Sequence, residues 1–246
     1  MKFTVVIPAR YASTRLPGKA VLDIAGKPMV AHVVDRASES SAYRVVVATD
    51  DQRIVDALTK YQCEVVMTRP DHESGSDRIA EVVAKLDLAD DDIVVNVQGD
   101  EPLIPGYLID QVASKLSCTP KAVMSTAAIK IQRPEEIQNP NAVKVVFNRL
   151  GEALYFSRSA IPFPRDGGVA NVYRHIGIYA YRSGFLKRYH SLHESQLEQV
   201  EKLEQLRVLD NGEKIMVEVV EHDTGIGVDT QEDLDAVRSH FESQLK

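Results

Sequence analysis

Four short runs rich in β-branched residues, Phe3–Ile7, Arg44–Ala48, Glu64–Met67 and Ile93–Val97, are separated by stretches with apolar residues at helical spacing, Pro28–Ala37, Gln52–Tyr61 and Asp77–Leu86. This alternation constrains the fold more than anything else in the chain. A strand that is apolar on both faces must be covered on both, and strands joined by helical crossovers pair in parallel. The pattern therefore predicts an α/β fold with a mostly parallel sheet and helices on both faces, and Gly106–Leu116 continues it.

The second half changes character. Val143–Phe147 and Ala153–Ser157 flank Asn148-Arg149-Leu150-Gly151-Glu152, a hairpin signal with Gly151 in the turn. Ile161 to Gly168 has loop composition, His175–Tyr181 and Ile215–Val220 are strand-like, and Leu197–Leu209 has the spacing of one helix that Asn211-Gly212 ends. Asp229-Thr230-Gln231-Glu232 has the form of a capping box opening a last helix. With 246 residues and no repeat or long linker, the expectation is a single domain over 1–246, with about 130–190 forming an excursion from the sheet.

Charge narrows the function. The net charge of −7, from 29 basic and 36 acidic residues, argues against a nucleic-acid-coating surface. No apolar run approaches the ~18 residues of a membrane span, and the first residues already form a strand, which predicts a cytoplasmic protein with no membrane association. Cys63 and Cys118 are too few and too far apart for a disulfide framework. Against this acidic background, Arg10, Arg15 and Lys19 crowd one loop directly after the first strand. Like charges placed together imply an anionic ligand. The loop has neither the glycine spacing of a dinucleotide fingerprint nor that of a P-loop. It can still bind phosphate, because Arg offers a planar fork, Lys a point charge, and Ala12, Ser13 and Gly18 allow close backbone approach.

In an open parallel sheet, ligands bind beyond the carboxyl ends of the strands. Every strand of the first half delivers polar groups there: Arg10, Ser13 and Lys19; Thr49, Asp50 and Asp51; Asp77 and Arg78; Gln98 and Asp100. Asp100, after a buried strand and Gly99, suits Mg²⁺, which takes one or two carboxylates and completes its shell with substrate phosphates. Asp229 is a candidate second ligand as well as a candidate helix cap. On the strand after the excursion, His175, Gly177, Tyr179 and Tyr181 share one face, a wall against which a sugar could pack. Glu201, Glu204 and Gln205 share one face of the expected helix.

Taken together, "IPARYASTRLPGK", "VATDD", "SGSDR", "VNVQGDEP", "NPNAVKVV", "YFSRSAIPFPR", "RHIGIYAYR", "LEQLRVL" and "GVDTQEDL" resemble the 3-deoxy-manno-octulosonate (Kdo) cytidylyltransferases, also called CMP-Kdo synthetases. The resemblance runs from Phe3 to about Val237, and Asp166–Tyr173 is short beside many members. It implies a Rossmann-like nucleotide-diphospho-sugar transferase fold, a homodimer joined through the excursion, and Mg²⁺-dependent conversion of CTP and Kdo to CMP-Kdo and pyrophosphate for lipopolysaccharide synthesis. It implies that Ala9, Arg10, Ser13, Arg15, Lys19, Asp77 and Arg78 bind CTP. Gln98, Arg158, His175, Tyr179, Glu204 and Gln205 would form the sugar pocket, with Arg158 on the sugar carboxylate. Asp100 and Asp229 would hold the metal, and Lys19, Arg10, Arg15 and Asp100 would carry the chemistry. Alternatives at this stage are a cytidylyltransferase for 8-amino-Kdo or another acid sugar, a sugar-1-phosphate nucleotidyltransferase, and a non-catalytic nucleotide-binding module.

Overall fold

The computed structural model describes residues 1–13, 16–61, 63–72, 74–167, 171–222 and 225–244. In chain order the elements are β1 (Phe3–Ala9), β2 (Asp23–Ile24), β3 (Lys27–Pro28), α1 (Met29–Ser38), β4 (Arg44–Thr49), α2 (Gln52–Leu58), β5 (Glu64–Met67), α3 (Gly75–Lys85), β6 (Ile93–Asn96), α4 (Gly106–Ser117), β7 (Met124–Lys130), α5 (Pro134–Ile137), β8 (Lys144–Phe147), β9 (Ala153–Ser157), β10 (Tyr173–Arg182), α6 (Ser183–Arg188), α7 (Gln196–Glu201), α8 (Gln205–Asp210), β11 (Ile215–Val220) and α9 (Gln231–Gln244). The main sheet runs β11-β7-β10-β6-β1-β4-β5, with β8 paired to β10 and β9. Neighbouring strands are parallel except where β10 lies antiparallel between β6 and β7, and in the β10-β8-β9 extension.

The sheet is covered as the apolar strands demand. Val5 and Ile7 pack on one face with Val30 and Val33 of α1 and Leu108 and Val112 of α4. Val6 and Val94 pack on the other with Ile79 and Val83 of α3, Phe185 of α6 and Leu206 of α8. At ~25 cal/mol per Å², each such side chain removed from water contributes about 1.5–3 kcal/mol. Among the described residues, no helix is long and apolar enough to cross a membrane.

Four local outcomes depart from the sequence pattern. β5, expected to be covered on both faces, is the edge strand, with Met67 43% exposed. β7 carries a weak apolar signal because Ser125 and Thr126 interrupt it, yet both are fully buried in mid-sheet. The expected helix Leu197–Leu209 is two helices, broken where Lys202 adopts a left-handed conformation (φ 54°, ψ 51°). The break turns the chain, so Glu201 and Glu204 no longer share a face. Finally, the box that opens α9 is shifted by one residue. Thr230 Oγ1 accepts from Asp233 N (3.2 Å), and Asp233 Oδ2 accepts from Thr230 N (2.9 Å). Asp229 is thereby released from the capping role that its sequence context suggested.

The excursion is anchored by Lys144, which is fully buried. Its Nζ donates to the carbonyls of Asn139 (2.9 Å), Ala142 (2.5 Å) and Arg158 (2.7 Å), tying both hairpin strands to the preceding turn.

Candidate active site

Two adjoining cavities open at the carboxyl ends of β1 and β6. The first, a cleft of about 350 Å³, is lined by Ala9, Arg10, Ser13, Lys19, Gln98 and Asp100 among others. The loop after β1 folds back on itself, with Gly18 N donating to Tyr11 O (3.1 Å). Gly18 has φ +69°, and a Cβ there would lie 3.3 Å from the Tyr11 ring, so glycine suits both the backbone and the space. Opposite it, a Cβ on Gly99 would meet Pro8 O at 2.7 Å. Glycine therefore lets the β6 loop press against the end of β1 and bring Asp100 into the cleft.

The Lys19 ammonium donates to Asp100 Oδ2 (2.6 Å), Val228 O (2.8 Å) and Asp229 Oδ1 (3.3 Å). Val228 N donates in turn to Asp100 O (2.8 Å), which locks the two loops together. Two carboxylates and a carbonyl, the farthest of them 210 positions along the chain from Lys19, thus surround its one cation. Glu101 lies close by, and burial together with Asp100 and Asp229 pushes its carboxyl up to about 7. Hard oxygen donors gathered round a positive charge fit Mg²⁺. Among the described residues, no three His, Cys, Asp or Glu side chains form a complete metal cage, so substrate oxygens would have to finish the shell.

The second cavity, a chamber of about 310 Å³, is lined by Asn96, Gln98, Tyr179, Tyr181, Glu204 and Gln205 among others, and shares Gly75 and Gln98 with the cleft. Its floor comes from β10, where Gly177 and Ile178 bulge out of register with β7. Thr126 Oγ1 fills the gap, 3.1 Å from Ile176 O, 2.8 Å from Ile178 O and 2.9 Å from His175 Nε2. The hydroxyl has one proton to give, and two carbonyls compete for it, so His175 Nε2 carries a proton and donates to Thr126. The His175 ring packs edge-on to Phe156 (5.1 Å) and against Tyr179 (5.4 Å). Burial, aided by Arg174, lowers its pKa to about 3, so the imidazole is neutral. Burial likewise raises the Tyr179 and Tyr181 hydroxyls and the Glu204 carboxyl above their ordinary ranges, and Glu204 Oε2 accepts from Ser76 Oγ (3.1 Å).

The structure thus brings Ala9, Arg10, Ser13, Lys19, Gln98 and Asp100 to the cleft, with Asp229 beside it, and Tyr179, Glu204 and Gln205 to the chamber. Arg15 lies outside the described residues. His175 stands behind Tyr179 rather than lining the chamber. Three residues are placed elsewhere. Arg78 is fully buried, donating to Thr68 Oγ1 and to Asp50 Oδ2 (2.8 Å), so its guanidinium ties strand ends together and lines neither cavity. Asp77 is taken up by the capping box of α3 with Ser74. The Arg158 guanidinium donates to the carbonyls of Glu201 (2.7 Å), Pro140 (3.0 Å) and Lys202 (3.4 Å), closing the end of α7 rather than facing the chamber. Glu201 turns the same way, accepting from Ser157 Oγ (2.6 Å) and Arg158 N (2.9 Å). Sequence reasoning passed over Asn96 and Glu101. The signals were present: a polar residue closing the apolar run Ile93-Val94-Val95, and a second carboxylate beside Asp100.

Comparison with known proteins agrees with this geometry. The cytidylyltransferase family model matches residues 4–215. A 3-deoxy-manno-octulosonate cytidylyltransferase of Yersinia enterocolitica is 56% identical over 97% of this chain and 98% of its own length. One of Photobacterium profundum is 56% identical over 97% and 99%. The solved structure of a CMP:2-keto-3-deoxy-manno-octonic acid synthetase complexed with CTP superposes with a TM-score of 0.94 at 44% identity, over 99% of this chain and 100% of that one. A 4-diphosphocytidyl-2C-methyl-D-erythritol synthase, 14% identical with a TM-score of 0.65 over 98% of both chains, shares the fold. A chain that matches these enzymes end to end, with a cationic loop and paired carboxylates at its strand ends, belongs to the cytidylyltransferase family and, within it, to the 3-deoxy-manno-octulosonate cytidylyltransferases.

Proposed function

We propose that the protein transfers CMP from CTP to the anomeric hydroxyl of Kdo, releasing pyrophosphate and supplying CMP-Kdo for lipopolysaccharide biosynthesis. One observation carries the reading: a cationic cleft and a polar chamber walled by tyrosines and amides share the wall formed by Gly75 and Gln98. A triphosphate in one and a sugar in the other would meet at that wall. Arg10, Lys19 and Ser13, with the backbone around Ala9, hold the triphosphate, and the undescribed Arg15 belongs to the same loop. Tyr179, Glu204, Gln205 and Gln98 hold the sugar, and neutral His175 keeps the Tyr179 ring in place.

Asp100 and Asp229 would hold Mg²⁺, which when bound supplies charge neutralisation on the phosphates and lowers the pKa of the attacking hydroxyl. The protein's own contribution is positioning and charge. Lys19, now on the carboxylate pair, is within reach of a triphosphate in the same cleft, and its ammonium would follow the negative charge that builds on the leaving pyrophosphate. The hydroxyl oxygen bonds to the α-phosphorus, the bond to pyrophosphate breaks, and the hydroxyl proton passes to solvent. No side chain is needed as a dedicated base.

The chain acts as one catalytic unit in the cytoplasm and pairs as a homodimer through the part of the 130–190 excursion that precedes β10, which itself lies in mid-sheet; Leu154 and Phe163 there are 60% and 82% exposed. Pyrophosphate release from each nucleoside triphosphate, with and without Kdo, tests the activity. Release with CTP and Kdo together is expected. Release with CTP alone, or only with a sugar 1-phosphate, would overturn it.

A further inference from the structure

The chamber contains two amide atoms that the protein leaves unmatched. Asn96 Oδ1 and Gln205 Nε2 are each buried with no hydrogen-bond partner among the described residues, and the residues themselves are 3% and 4% exposed. Both line the chamber. Asn96 closes β6 directly opposite Tyr179 of β10, on the face that carries Tyr179 and Tyr181. Its strand neighbours Val94 and Val95 are fully buried. A valine at 96 would suit such a strand, and a buried amide oxygen without a partner costs the fold its desolvation. No described residue recovers that loss. The Gln205 amide is presented from the first position of α8, immediately after the break at Lys202.

We propose that Asn96 is a sugar-binding residue that, with Gln205, selects the substrate by its hydroxyl groups. One orphan atom accepts and the other donates. A hydroxyl can do both, giving its proton to an amide oxygen and offering a lone pair to an amide nitrogen, and it satisfies these amides whichever way each is turned. An apolar or deoxygenated surface in their place would leave buried polar atoms unpaired, which is how a site built for hydroxyls rejects an analogue lacking one. Asn96 thus sets which sugar enters, while the charged cleft sets which nucleotide does.

The inference rests on the chamber being the sugar site. The test compares wild type with Asn96→Leu, and with Asn96→Ala should the bulkier side chain disturb the sheet. Four quantities are read: KM for Kdo, Kd for CTP without sugar, melting temperature, and kcat/KM across monodeoxy analogues of Kdo. The expected result is a rise of about 10- to 100-fold in KM for Kdo, with Kd for CTP within twofold and no fall in melting temperature, because the lost oxygen had no partner to lose. One monodeoxy analogue should be penalised by wild type but suffer no further loss with Asn96→Leu, the coupling expected of a direct contact. Unchanged use of Kdo by Asn96→Leu and Asn96→Ala, or a fall in melting temperature with both substrates weakened alike, overturns the role of Asn96 and leaves the sugar site standing. A wild-type enzyme that releases no pyrophosphate with Kdo overturns the reading of the chamber itself.

Discussion

The cleft is walled by loops that leave β1 and β6, whereas the chamber is walled by the middle of β10 and the break between α7 and α8. The cleft concentrates formal charge: Arg10, Lys19, Asp100 and Asp229 lie at or beside it, and its most exposed member, Asp229, is 53% accessible. The chamber is lined mainly by phenols and amides, with the Glu204 carboxyl raised by burial, Lys202 at its edge and the His175 imidazole behind its tyrosine wall. Each suits a different substrate. A triphosphate needs counter-charge and tolerates water, while a polyol needs hydrogen bonds in fixed directions and gains from their enclosure.

Asp100→Asn strikes the cleft hardest. It removes one of two carboxylates that face Lys19, and turnover should fall on the order of 10³-fold or more, about 4 kcal/mol of barrier. Melting temperature should hold, and pyrophosphate release beside a thermal melt checks both. Near-normal turnover at moderate Mg²⁺ would remove Asp100 from the reaction.

Arg78 sharpens the boundary of the cleft. Its charge is buried on Asp50 and Thr68, so Arg78→Met should cost about 3 kcal/mol of stability by stranding Asp50, measured by denaturant titration, with Kd for CTP changed by only a few-fold. Full stability with lost CTP binding would put Arg78 in the nucleotide site after all.

His175 probes the neutral side through pH. Its folded pKa of about 3 lies below the ordinary 6.5, so between those values the unfolded chain binds the extra proton. The stability contributed by neutral His175 is therefore complete above pH 6.5 and lost as pH falls. Against His175→Gln, the wild type should lose an additional amount of about 2–3 kcal/mol between pH 7 and 4.5. Parallel pH profiles of stability for the two proteins would show an imidazole that titrates normally.

The cleft was legible in the sequence because each of its parts is a short contiguous loop at a strand end: Arg10 to Lys19, Gln98 to Asp100, Val228 to Asp229. A strand pattern locates such loops without any tertiary information. The chamber was legible only in part. Tyr179 follows from strand alternation, but Glu204 and Gln205 reach it because Lys202 breaks a helix whose apolar spacing runs on uninterrupted. Asn96 looks like the end of a buried strand until β10 is laid beside it. Arg78 shows the converse. The family resemblance puts it at the nucleotide, and only the fold reveals its guanidinium buried on Asp50 and Thr68. β7 stayed hidden because small polar side chains in mid-sheet carry no periodic signal.

The division between the two cavities is tested most directly by calorimetric titration of Mg²⁺-CTP, without sugar, into Lys19→Met and Gln205→Leu side by side, followed by Kdo saturation kinetics on each. Lys19→Met should lose CTP affinity by about 10- to 100-fold, as expected for a charge-assisted contact. Gln205→Leu should bind CTP as the wild type does, with its KM for Kdo raised by a similar factor. Equal loss of CTP affinity in both variants, or a normal KM for Kdo in Gln205→Leu, would contradict that division.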